Sequence, residues 1–157
     1  MVTIMPTGKV IPYVVALSRR HTNELGFLPR PRLEAYHERG QLWVEYDNNE
    51  PCGFVVWGNG WPVLRIYQIC IAYDARRQTH GLNLIRRIIQ KADAGGYEAI
   101  SCFVADDLDA NLFWRDAGFT LCGTRQGGHA RGRWHNHWVM RMPIPIQRAL
   151  FEEVYHG

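Results

Sequence analysis

The stretch Ile71–Ile89, IAYDARRQTHGLNLIRRII, limits the possible folds more than any other part of the chain. An apolar, strand-like run from Val63 to Tyr73 ends there, a short basic segment follows, and a helical pattern begins. Leu82, Ile85, Ile88 and Ile89 fall on one face of that helix, and Arg86, Arg87, Gln90 and Lys91 lie towards the other. Gly95 and Gly96 supply its stop, and a second apolar run, Ala99–Val104, follows at once. A strand, a helix and a strand at these spacings form a crossover that joins parallel strands. The mouth of the helix carries Arg76, Arg77, Gln78, Thr79 and His80, and no acidic residue opens its first turn. Helix N-termini bear partial positive charge and unpaired N–H groups, so acidic side chains usually settle there. A basic mouth is instead prepared for an external anion such as a phosphate.

The rest of the chain reads in the same way. Ile11–His21 has helical spacing through Ile11, Val14, Val15 and Leu17, until Gly26, Pro29 and Pro31 interrupt it. Pro31 suits a first helical turn, and Leu33–Arg39 continues that helix to Gly40. Gln41–Tyr46 and Cys52–Trp57 form a hairpin across DNNEP, and Val63–Tyr73 returns after GNGWP. Beyond the crossover come a short helix, Asp109–Ala117, and two strands, Phe119–Thr124 and Trp134–Met142, around the basic loop RQGGHARGR. Val2–Met5 reads as a short first strand, and the tail 143–157 as a short helix from Ile146 to Tyr155. The expectation is one domain over 1–157, of α/β class, with a mixed sheet.

Composition excludes several functions. With 46% hydrophobic and 21% charged residues the chain is an ordinary globular one, and a net charge of +3 does not demand a nucleic-acid partner. Cys52, Cys70, Cys102 and Cys122 are far apart in sequence, so no zinc-type pair exists, and all four read as buried thiols in a reducing compartment. His129, His135 and His137 lie close together, but no nearby cysteine or acid pair completes a metal site. There is no leader-like pattern and no apolar run of about 20 residues, so the expected place is the cytoplasm, away from membranes.

The order of elements and three local patterns resemble the GNAT superfamily of acetyl-coenzyme A-dependent N-acetyltransferases. The segment ICIAYDARRQTHGLNLI is similar to the family's pyrophosphate-binding strand–loop–helix, with Arg76 at its first position, Gly81 at its last, and Thr79 where a glycine is usual. DLDANLFWRDAGF resembles the family's helix that ends in an aromatic, three residues and Gly-Phe, and WHNHWVMRM closes the basic hairpin after it. HTNELGFLPR is similar to a bacterial and phage subgroup. The resemblance implies a mostly antiparallel sheet with a splayed central strand pair, flanked by helices. It implies acetyl transfer from acetyl-coenzyme A, the co-substrate, to a primary amine of a small molecule or protein by direct attack. Two other functions compete with it: a coenzyme-binding module with little turnover, and association with nucleic acid through the basic 124–137 hairpin. A homodimer is compatible with all three.

On this resemblance, the coenzyme would lie against the backbone of Ile69 and Ile71 and in the loop formed by Arg76, Arg77, Gln78, Thr79, His80, Gly81 and Leu82. Gly81 lets backbone approach phosphate, and Thr79 either bonds a phosphate oxygen or crowds the loop. Trp114 stands where many members carry a tyrosine that protonates the leaving thiolate. Indole cannot act as that acid, so Trp114 packs against the coenzyme arm or the core. Asn111, a turn earlier, is expected to offer the coenzyme an amide. Strand alternation puts Arg65, Tyr67, Ile69 and Ile71 on one face, which makes Tyr67 a candidate base. Glu24, in a loop that commonly walls the acceptor pocket in the family, is the second.

Overall fold

The computed structural model describes residues 5–76, 79–127 and 133–143. Three helices come first: α1 (Thr7–Arg20), α2 (Thr22–Leu25) and α3 (Arg30–Glu38). Strands β1 (Leu42–Asp47), β2 (Glu50–Gly60) and β3 (Val63–Ile71) come next. Then come α4 (His80–Ala94), β4 (Ala99–Ala105), α5 (Ala110–Asp116), β5 (Thr120–Gln126) and β6 (Trp134–Arg141). The six strands form one sheet in the order β1-β2-β3-β4-β6-β5. Only β3 and β4 pair in parallel, across the expected crossover, and every other neighbour is antiparallel.

Local chemistry accounts for most boundaries. Asn48 and Asn49 take the left-handed conformations that a tight β1–β2 hairpin demands, at φ 49° and 69°. Pro31 sits in the first turn of α3, where its missing N–H costs nothing. Helix α1 begins at Thr7 rather than Ile11 and runs through Pro12. Strand β3, expected to reach Tyr73, ends at Ile71, and Tyr73–Ala75 forms a 3₁₀ turn. The expected strand Val2–Met5 falls mostly outside the described residues. Met5 itself is irregular, its N–H donating to the Tyr46 hydroxyl at 3.0 Å. The expected tail helix Ile146–Tyr155 also lies outside them.

Each face of the sheet has its own core. On one, α4 presents Leu84, Ile85, Ile88 and Ala92, and α5 presents Trp114, against Val55, Leu64, Ile66, Ile100 and Cys102. Full burial of each leucine or isoleucine there stabilises the fold by about 2 kcal/mol. Leu82, expected on that stripe, is partly exposed, and Leu84 takes its place. On the other face, α1 and α3 bring Val14, Leu17 and Leu33 onto Phe54, Val56 and Cys70. Cys52, Cys70 and Cys102 are buried as expected, but Cys122 is exposed, because all of β5 is exposed at the edge of the sheet.

An irregularity in β3 shapes the centre of the sheet. Val56 pairs with Gln68, but Trp57 pairs with Ile66, so Tyr67 is an extra residue opposite β2. Such a bulge bends its strand and breaks simple alternation. Leu64 and Ile66 face α4, and beyond the bulge Ile69 and Ile71 pack against the same cluster. Tyr67 turns the other way, its ring 5.5 Å from that of Tyr36 in α3. Gln68 turns with it and donates to the carbonyls of Leu25 and Gly26 at 3.4 and 3.3 Å. The expectation that Tyr67 shares a face with Ile69 and Ile71 therefore fails. The β3–β4 pairing also stops there. It covers only Val63↔Ala99, Leu64↔Ile100 and Arg65↔Ser101, and the strands splay apart beyond it.

The β2–β3 side of the splay is packed to backbone contact. A Cβ on Gly53 would sit 2.6 Å from the Cys70 carbonyl oxygen and 2.6 Å from Ile71 Cδ1. Gly53→Ala is therefore expected to lower stability by about 1–3 kcal/mol, read as a lower urea midpoint. An unchanged midpoint would show that β2 and β3 have slack here.

Candidate active site

A cavity of 690 Å³ opens where the splay meets the mouth of α4, lined by Ile69, Ile71, Arg76, Gly81, Phe113 and Trp114 among others. A smaller one of 90 Å³ lies in the splay itself, between Ile66–Ile69 and Cys102–Val104. The two share Glu24, Ile69, Ala110 and Trp114. A third, of 360 Å³, lies on the sheet face that α1 and α3 leave uncovered, and it shares Phe103 with the second. The three form a chain of cavities running from a helix N-terminus, between two strands, to an open sheet face.

The main chain of β3 supplies the polar groups of the splay. Ala72 donates its N–H to the Cys52 carbonyl at 2.7 Å, which makes those two residues a hydrogen-bonded pair of the β2–β3 ladder. Pairs alternate along an antiparallel ladder, so Ile71 (opposite Gly53) and Ile69 (opposite Val55) direct their N–H and C=O groups away from β2. Arg76 Nε donates to the Ile71 carbonyl from that side, at 3.0 Å. With β4 splayed away, Ile69 keeps an N–H and a carbonyl, and Ile71 an N–H, towards the cavity.

The mouth of α4 adds donors. The Asn83 N–H bonds the Thr79 carbonyl at 2.9 Å, so the amides of Gly81 and Leu82, just before it, have no acceptor within the helix. Thr79 holds the N-cap position, yet its hydroxyl makes no capping bond. Gly81 has a reason beyond phosphate approach: a Cβ there would lie 3.1 Å from the Phe113 ring of α5. The His80 side chain, expected at the anion site, turns to β1 instead, with Nδ1 3.3 Å from Glu45 and Nε2 3.8 Å from Asp47. Arg77 and Gln78 lie outside the described residues.

Arg76 is not aimed at open space either. Besides the Ile71 carbonyl it meets Glu24 Oε2 at 3.5 Å and His21 Nδ1 at 3.3 Å, and His21 is 3.2 Å from Glu24 Oε1. The mouth lacks an acid of its own, and α2 supplies one from across the cavity. Arg133 ties the same segment to the far wall, bonding the Asn23 carbonyl at 2.9 Å and Asp107 at 3.2 Å. Of the basic hairpin, Arg133 is thus tied into the molecule, while the exposed Arg125 lies 3.5 Å over the Phe103 ring.

Two expected roles change. Burial and the neighbouring Tyr36 phenol push the Tyr67 hydroxyl above the usual tyrosine range. The shift favours the protonated hydroxyl, which suits hydrogen bonding better than proton acceptance. The Asn111 amide is fully engaged by the fold: Nδ2 donates to the Ala105 and Leu108 carbonyls, both at 2.8 Å, and Oδ1 accepts from Asn136 and Trp138 at 3.0 and 2.8 Å. It anchors α5 to β4 and β6 and has no amide group left for a coenzyme. Trp114 is buried between Phe113 and Phe119 and also floors the first two cavities. Gln68 is a site residue that no sequence pattern marks. It lines the splay cavity, and its buried Oε1 has no partner among the described residues.

These features define a fold that opens two central strands beside a helix N-terminus, with room for a long phosphorylated molecule between them. The model of the acetyltransferase (GNAT) family matches residues 13–119. The chain therefore belongs to that family, and it is an acetyltransferase that uses acetyl-coenzyme A. Solved structures agree on the fold. Ard1 from Thermoplasma volcanium superposes with a TM-score of 0.78 at 15% identity, over 89% of this chain and 96% of that one. The ribosomal-protein-S18-alanine N-acetyltransferase from Escherichia coli gives 0.72 at 12% identity, over 92% and 94%. N-acetylglutamate synthase from Neisseria gonorrhoeae, complexed with coenzyme A and N-acetyl-glutamate, gives 0.71 at 17%, over 88% of this chain and 34% of that one. No curated protein sequence matches the chain.

Asn111 separates structural from coenzyme-binding roles. Asn111→Ala strands the buried Trp138 N–H and two carbonyls, so stability is expected to fall by about 3 kcal/mol. Acetyl-coenzyme A affinity of the remaining folded protein should be unchanged. A calorimetric titration that shows weaker coenzyme binding at full stability would restore the coenzyme role.

Proposed function

We propose that the chain transfers acetyl from acetyl-coenzyme A to a primary amine that enters from the open sheet face, with Glu24 as proton acceptor. The observation that carries this reading is the splay. It leaves the Ile69 and Ile71 N–H groups unpaired beside a cavity that joins the α4 N-terminus to that face. When bound, the coenzyme supplies an activated acetyl thioester. The chain does the rest. The amides of Gly81 and Leu82, with the Thr79 hydroxyl, are the donors for the pyrophosphate. Ile69 and Ile71 hold the pantetheine arm as a strand would, and the Ile69 N–H is placed to polarise the thioester carbonyl. Trp114 and Phe113 exclude water beneath it.

Glu24 lines both the coenzyme cavity and the splay cavity, which supports a role for it where amine and thioester would meet. An attacking amine must shed a proton, and a carboxylate within reach contributes roughly 10²-fold or more. Tyr67 lines the same cavity as a protonated hydroxyl, suited to orient the amine and not to deprotonate it.

A screen of amine acceptors with thiol-release detection tests the reading. With an accepted amine, Glu24→Gln should lower kcat by about 10²-fold. Acetyl-coenzyme A affinity should hold or rise, because Arg76 loses its carboxylate partner. Full turnover in Glu24→Gln would show that the proton leaves directly to water.

A further inference from the structure

The third cavity suggests which amines are accepted, an inference that rests on amines entering through it. It lies on the sheet face opposite α4, and its floor is Ser101 and Phe103 of β4 with His137 and Val139 of β6. Arg65, Arg125 and Arg141 rise from its rim, contributed by β3, β5 and β6. Among the described residues, no aspartate or glutamate lines it. Among the described residues, none of these three pairs with a carboxylate, as is true of most arginines here. One solvated arginine on an open sheet is unremarkable. Three around one concavity repel one another and await a counter-charge.

The site is also braced. Phe103 and His137 stack with centroids 4.4 Å apart and planes 9° off parallel, and the Arg125 guanidinium lies on the Phe103 ring. A guanidinium held over an aromatic ring loses little freedom when its N–H groups grip an oxyanion. His137 reports the local field: burial, Arg125 and Arg65 all push its titration below the usual histidine range. Phe103 forms the wall shared with the splay cavity, so a group held here is joined to the acyl-transfer point by a short path.

We propose that the acceptor is an anionic amine, whose carboxylate or phosphate is held by Arg65, Arg125 and Arg141 while its amino group reaches through the splay. Guanidinium forks fit either oxyanion in the same two-bond manner. The anion belongs either to a free small molecule or to an acidic residue at a peptide N-terminus.

Calorimetric titration of the whole protein, saturated with coenzyme A, tests this with matched pairs. The pairs are glutamate and glutamine, phosphoethanolamine and ethanolamine, and a hexapeptide beginning with Glu and the same peptide beginning with Gln. The anionic member of at least one pair should bind at least about tenfold more tightly. R125Q/R141Q should abolish that preference, and so should R65Q/R141Q, which leaves the Arg125–Phe103 contact in place. Acetyl-coenzyme A affinity should be the same in all three proteins. Selectivity in a small-molecule pair identifies a free amine as the source, and selectivity confined to the peptide pair identifies a chain terminus. Equal affinity within every pair, no binding of any anionic probe, or capture of a single-stranded oligonucleotide through these arginines in preference to the small anions would overturn the proposal. If acetyl-coenzyme A binds and the pairs do not discriminate, only the acceptor class falls. If acetyl-coenzyme A does not bind, the functional reading falls whatever the arginines select.

Discussion

One extra residue in β3, Tyr67 against the Val56–Trp57 step of β2, sets up everything that acts in this molecule. Without it, alternation would carry Leu64 and Ile66 onto one face and Ile69 and Ile71 onto the other. With it, all four face α4, while Tyr67 and Gln68 both turn to the α2–α3 side. The bend also ends pairing with β4 after three residues. A central parallel strand is normally bonded on both edges. Here one edge is left open deep in the molecule, and unpaired backbone donors there are costly unless a ligand or water meets them.

The second constraint is electrostatic. Helix α4 opens with amides that lack an acceptor in the helix and with no acid of its own, and a carboxylate paired with Arg76 at the cavity, Glu24, arrives from α2. The Arg76–Glu24–His21 cluster and the Arg133 contacts to Asn23 and Asp107 draw the α1–α3 connection over the cavity from both sides. The same cluster brings a carboxylate to the junction of two cavities. A surface ion pair of this sort adds little stability, about 0–1 kcal/mol, so its value lies in where it places Glu24. Across the sheet the balance reverses, and three arginines share a concavity with no acid among the described residues.

Much of this was legible in the sequence, because most of it is local. The crossover, the hairpin at Asn48–Asn49 and the α4 stripe each come from residue type and spacing within about a dozen positions. So does the basic, acid-free first turn of α4. What escaped depends on partners distant in sequence. The face of Tyr67 is set by a register shift against β2, which strict alternation cannot reveal. The bonds of Asn111 run to Asn136 and Trp138, which join it only once β6 lies beside β4. The turn of His80 towards β1 needs Glu45 and Asp47, far upstream. The cluster of Arg65, Arg125 and Arg141 comes from three strands, one of them inserted between β4 and β5 against chain order.

Amide exchange along β3, followed residue by residue by NMR, tests the splay most directly. In the free protein the Cys70 and Ala72 amides, bonded to β2, should exchange slowly, and those of Ile69 and Ile71 much faster. Saturating acetyl-coenzyme A should slow Ile69 and Ile71 selectively. Uniformly slow exchange along all four residues without ligand, or no change at Ile69 and Ile71 with it, would contradict an open strand edge that holds the coenzyme.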